Sequence, residues 1–112
     1  MIREIKFRAW NNPSKEMLYS DDFTLSEFFH EIYPLDKNSG LMQYTGLTDK
    51  NGIEIYEGDY VRTITSKTKK LRGGIVVWHG GGFCINYKDE PNTFEWMIYP
   101  EIKYEVIGNI YQ

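Results

Sequence analysis

Apolar residues recur mostly at every second position, in short runs separated by turn formers. Ile5, Phe7 and Ala9 alternate with Lys6, Arg8 and Trp10, which describes a strand with one apolar face. Asn11-Asn12-Pro13-Ser14-Lys15 is dense in turn formers, and Met17-Leu18-Tyr19 resumes the pattern. Residues 3–19 are therefore predicted to be a hairpin. Tyr60 to Thr65, Gly74 to His79, Phe83 to Tyr87, Phe94 to Tyr99 and Tyr104 to Tyr111 read as further strands. Gly80-Gly81-Gly82 is a turn between two of them, and Pro100 closes another.

One stretch has a different period. Leu25, Phe28, Phe29 and Ile32 fall at i, i+3, i+4 and i+7, the spacing of one helix face. This predicts a single short amphipathic helix near residues 21–33. Thr24 and Glu27 form a capping-box pair, Asp21 and Asp22 suit the positive end of the helix dipole, and Pro34 ends the run. So short a helix is unstable alone and must dock on a sheet. Leu25, Phe28 and Phe29 are expected to face the sheet, and Glu27, His30 and Glu31 to face water.

The most patterned stretch is Leu41 to Asp59. It reads as a turn-rich lead-in, a hairpin turn over Asp49-Lys50-Asn51-Gly52, the short strand Ile53 to Tyr56, and a second turn at Glu57-Gly58-Asp59. Asn51-Gly52 tolerates positive φ at both positions, so Gly52 should have it. Many short strands with tight turns predict a mainly β protein. The expected architecture is one small, strongly bent, partly open β-barrel of the SH3-like type, decorated by the helix, with residues 1–112 as a single domain.

The stretch LMQYTGLTDKNGIEIYEGDYV also resembles the central motif of the YopX family, small proteins of phages and prophages of Gram-positive bacteria. Ile2 to Trp10 is similar to that family's start, and Glu105 to Tyr111 to its end. Gly74 to Trp78 with Gly82-Phe83 resembles its later strand pair. The resemblance implies a phage or prophage origin and a mainly β fold. It brings no activity and no catalytic residues.

Composition narrows the function. The chain has 112 residues, with nine Tyr, six Phe and three Trp, so large flat side chains can build a core from few positions. A net charge of −3 gives no overall attraction to nucleic acid or anionic membrane. The single cysteine, Cys84, forms no intrachain disulfide and fits a reducing cytoplasm, here that of a bacterial host. No stretch approaches the roughly 20 apolar residues of a membrane span, so no membrane partner is expected.

Candidate chemistry is sparse. A phosphate loop needs a helix behind it, but the glycine triplet runs into the alternating Phe83 to Tyr87. His79 and Cys84 flank that turn and have no evident third group, while His30 sits on the helix. One cysteine and two scattered histidines make a poor zinc set. Asp49, Glu54, Glu57 and Asp59 are explained by turn chemistry and a solvent face. No catalytic residue, metal or cofactor is expected, and the chain is expected not to be an enzyme. A protein-interaction module, binding a partner or forming a homo-oligomer, is the favoured reading. Its surface is sought around Tyr44, Thr45, Gly46, Tyr56 and Trp78. The alternative is a nucleic-acid-binding accessory protein. It rests on the basic run Lys67, Lys69, Lys70 and Arg72, with Trp10, Tyr44, Tyr56 or Trp78 as stacking surfaces.

Overall fold

A computed structural model describes residues 4–32, 40–65, 71–97 and 102–112. The chain order is β1 (Phe7–Asn11), β2 (Glu16–Tyr19), a 3-10 turn (Ser20–Asp22), α1 (Leu25–Ile32), β3 (Gly40–Thr48), β4 (Glu54–Tyr56), β5 (Asp59–Thr65), β6 (Leu71–His79), β7 (Gly82–Tyr87), β8 (Phe94–Trp96) and β9 (Ile102–Asn109). The protein is mainly β with one short helix and a strongly curled sheet, as its patterning predicts. Its strands divide into two antiparallel sheets: a four-stranded sheet ordered β2-β1-β3-β4 and a five-stranded sheet ordered β8-β7-β6-β5-β9.

The two faces of the four-stranded sheet follow from period two. Phe7 and Ala9 share one face, and α1 covers it. Phe28 is fully buried there, its ring edge-on to Phe29, which meets Phe7 at 6.4 Å. The capping box forms as expected, with Thr24 N–H donating to Glu27 Oε1 at 2.9 Å and Glu27 N–H to Thr24 Oγ1 at 3.2 Å. The expected inward face is only partly right. Leu25 is 62% exposed, and Phe29 keeps one side in water. Phe29 meets the sheet at Phe7 and Phe28 is fully buried, whereas Leu25, one turn earlier, stays mostly in water. Glu27, His30 and Glu31 are exposed, as expected. Tyr33 and Pro34, the expected helix end, lie outside the described residues.

The expected lead-in before the Asn51-Gly52 turn is instead a full strand, β3. Thr45 and Gly46 explain why its pattern looked broken. Pairing with β4 shifts register between Tyr44 and Thr48, and Gly46 sits in that bulge with φ +88°. Thr45 Oγ1 donates to Ile55 O at 2.8 Å and accepts Leu47 N–H at 3.1 Å, which fixes the irregular backbone.

The five-stranded sheet carries the main core. Val61, Val76, Ile85, Tyr87, Met97 and Tyr104 pack with Ile55 of β4, flanked by Leu47, Phe83 and Val106. Leu47 and Ile55 thus bring the four-stranded sheet onto the core-bearing face of the five-stranded one. The β6–β7 hairpin turns on Gly80 and Gly81, with φ of 63° and 85°, the positive pair that suits strand twist. Gly82 is needed for another reason: the Trp96 ring lies where a side chain would project.

Candidate functional site

Two turns in the Leu41 to Asp59 stretch join the sheets, each through a buried carboxylate. Asp49 Oδ1 accepts N–H bonds from Asn51 at 2.8 Å and Ile53 at 2.9 Å, closing the turn in which Gly52 has φ +82°. Its Oδ2 accepts Val106 N–H of β9 at 3.0 Å, while Lys50 N–H donates to Tyr104 O at 2.9 Å. The turn therefore sits on the outer edge of β9. Burial opposes the charge on Asp49, but the N–H groups of Val106, Ile53 and Asn51 outweigh it and hold its carboxyl below the usual range.

Asp59 is 1% exposed. Its Oδ2 accepts Tyr56 N–H at 2.8 Å, and its Oδ1 accepts Arg8 Nη2 of β1 at 2.7 Å. Burial pushes its carboxyl above the usual range, against the pull of Tyr56 N–H and Arg8. Arg8 also lies over the Tyr56 ring at 4.7 Å and donates to Glu57 O at 3.3 Å. Next to this turn, Gly58 N–H donates to Val76 O at 2.8 Å and Ile110 N–H to Gly58 O at 2.9 Å. Turn chemistry accounts for Asp49 and Asp59, as expected from sequence. Their long-range partners were not legible there.

Between the sheets lies a cleft of about 370 Å³. One wall is β4 with its preceding turn, through Ile53, Glu54 and Tyr56. The other is β9 and the segment after it, through Val106, Gly108, Asn109 and Gln112, with Arg8, Tyr19 and Asp59 at the base. Tyr19 meets Tyr56 edge-on at 6.0 Å, and Tyr56 meets Tyr44 at 5.5 Å. Burial pushes the Tyr56 hydroxyl up to about 12, so it stays a neutral phenol. Asn109 Oδ1 accepts N–H bonds from Tyr111 and Gln112, both at 2.9 Å. Tyr111 stacks on Trp10 at 6.0 Å, which makes the far wall firm. Glu54, expected to point into water, instead pairs with Lys6. Lys6 also meets Glu4 at 2.7 Å and Asp21 at 3.4 Å; hydrogen bonds to Glu4 and then Glu54 raise its pKa, and the charge of Asp21 adds to this.

The five residues expected to form a binding surface fall in different places. Tyr44 and Tyr56 are buried, and Tyr56 alone of the five lines the cleft. Thr45 and Gly46 belong to the β3 bulge. Trp78 is on the other sheet, 53% exposed, with its ring edge-on to Phe83 at 4.9 Å. Trp10 is buried under Tyr111. Arg8, Tyr19 and Asn109 were missed. Only the alternation of Arg8 with Phe7 and Ala9 hinted that a charged residue shares a strand with core positions.

Of the basic run, Lys67, Lys69 and Lys70 lie outside the described residues. Arg72 is engaged: its guanidinium lies 3.7 Å over the Tyr87 ring and bonds Asp89 at 3.2 Å and Glu90 at 3.3 Å. At the glycine turn, Cys84 Sγ donates to the backbone carbonyls of His79 at 3.6 Å and Gly82 at 3.9 Å. Burial pushes its thiol up, away from the reactive thiolate. The His79 ring stacks on Phe94 at 3.7 Å. Among the described residues no group of three or more His, Cys, Asp or Glu is placed to hold a metal ion, and no helix is long and apolar enough to cross a membrane.

The fold and its cleft define a small two-sheet β protein in which, among the described residues, Lys6, Arg8, Lys50, Arg62 and Arg72 are held in ion pairs. A profile of the family described as YopX protein matches residues 6–112, and the chain belongs to the YopX family. Two solved structures share its fold. Protein EF1440 from Enterococcus faecalis is 24% identical, with a TM-score of 0.59 over 98% of this chain and 95% of that one. Protein yopX from Bacillus subtilis is 18% identical, with a TM-score of 0.64 over 96% of this chain and 93% of that one. At those identities the likeness speaks for the fold alone. No curated protein matches the chain.

Proposed function

We propose that this protein is a non-catalytic interaction module of phage or prophage origin. It acts in the cytoplasm of a bacterial host by binding a protein partner or a second copy of itself. One observation carries the reading: several aromatic side chains remain open to solvent while Arg8, Lys6 and Arg72 are already paired. Tyr19, Trp78 and Trp96 are exposed, whereas Arg8, Lys6 and Arg72 are held by carboxylates. Open aromatic anchors on a molecule whose cations are paired suit protein recognition better than phosphate contact. The surroundings of Cys84 and His79 likewise favour binding over nucleophilic chemistry. The nucleic-acid reading rests on Lys67, Lys69 and Lys70, since Arg72 is committed elsewhere.

Light scattering at high concentration, followed by affinity capture from lysogenic cells, tests the proposal. A mass above 13.3 kDa, or a protein retained through washing with nuclease, is the expected result. A monomer that retains no protein contradicts it.

A further inference from the structure

The cleft lies between two sheet margins. β4 ends the strand order of one sheet and β9 ends that of the other. The Asp49-Lys50 turn engages β9 at Tyr104 and Val106. The cleft begins beside that contact and continues along Val106, Gly108 and Asn109. A strand margin can offer backbone donors and acceptors to an extended chain. Here, however, the Asp49-Lys50 turn already takes Tyr104 O and Val106 N–H of β9, and Asp59 takes Tyr56 N–H of β4, so such a segment is held mainly by its side chains.

From this arrangement, and resting on the interaction-module reading above, we infer that the cleft is a docking groove for an extended peptide segment with alternating apolar and basic side chains. β4 is three residues long, about 10 Å at the usual rise per residue, so the groove reads a short segment. Alternate side chains of that segment point to opposite sides. One set meets Tyr19, Ile53, Tyr56 and Val106. The other meets the rim at Glu54.

Charge selects the occupant. Glu4, Asp21 and Glu54 surround the single ammonium of Lys6, so the rim beside the cleft is net acidic. Arg8 and Asp59 offset one another at the base. A lysine or arginine on the segment therefore meets a rim of net negative charge, whereas a phosphate backbone or an acidic peptide is repelled.

The test displays short random linear peptides against the full-length protein and then titrates synthetic copies of the enriched sequences, followed by amide NMR. Enrichment of alternating apolar and basic sequences is expected. Their binding should move the amide signals of Ile53 to Tyr56 and of Val106 to Asn109 together. Tyr19→Ala and Ile53→Lys, both at exposed side chains, should each weaken binding by roughly tenfold or more. The rest of the amide spectrum should stay in place, which separates lost binding from lost folding. A preference for acidic peptides, signals that move around Trp78 and Trp96 instead, or no enrichment at all would overturn the groove. Light scattering and capture test the module reading independently: a partner retained while peptides ignore the cleft sinks the groove alone.

Discussion

Asp49 and Asp59 are both buried aspartates in turns, and their surroundings drive them in opposite directions. Asp49 accepts three backbone N–H bonds, and its carboxyl is held low. Asp59 accepts one backbone N–H and one arginine in a drier place, and its carboxyl is pushed up. The signs differ accordingly. A lowered folded-state pKa contributes stability that is present above the unfolded value and is lost as pH falls through the folded one. A raised pKa contributes stability that is full below the unfolded value and is lost as pH rises through the folded one. Asp49→Ala should therefore destabilise by on the order of 3 kcal/mol at neutral pH, because it strands N–H groups on two elements. The gap between parent and variant should narrow in acid, as the parent's own Asp49 becomes protonated. Denaturant melts across that range measure it. A gap that is constant with pH would mean the carboxylate charge is not what holds β9. Either carboxylate could be read from sequence as a turn residue, because an Asx turn is local. Neither partner could be: Arg8 is 51 residues from Asp59, and Val106 is 57 from Asp49.

Elements whose signals are local were legible. The capping box, the positive φ of Gly52, the turn at the glycine triplet and the alternation in β7 all follow from neighbours within a few residues. β3 was less legible, because the bulge at Thr45 and Gly46 breaks its alternation and a glycine inside a strand reads as a turn. The inward edge of α1 was misjudged for a related reason. Periodicity gives the direction of an apolar face, but the width of contact depends on the partner surface. Here Phe28 is fully buried while Leu25, one turn earlier, is left mostly in water. Phe28→Ala should cost about 3 to 5 kcal/mol, since that ring is fully buried. Leu25→Ala should stay within about 0.5 kcal/mol, since that side chain is mostly in water. Denaturant midpoints of the pair decide the matter, and equal losses would place Leu25 in the core after all.

Over the whole molecule, the stretch that dominates the sequence pattern also dominates the assembly. Its two turns tie one sheet to the other, and its short strand β4 supplies both a core residue, Ile55, and a cleft wall. The mainly β class and the single short helix were legible in the pattern. The division into two sheets was not, because alternation gives each strand its two faces without saying which strands are neighbours. The site was legible only at Tyr56. The cleft is assembled from both ends of the chain and its middle, and no local spacing encodes that meeting. The same architecture underlies the functional reading: Tyr19, Trp78 and Trp96 are open, while Arg8 and Arg72 are closed. Phosphate contacts release counterions, so nucleic-acid binding weakens steeply with salt, whereas protein recognition through apolar anchors does not. The most direct measurement is a salt titration of the protein against single- and double-stranded DNA and RNA. No measurable binding at low salt is the result expected of a protein-interaction module. Micromolar or tighter binding that falls with salt, and that disappears when Lys67, Lys69 and Lys70 are replaced by alanine, would contradict it.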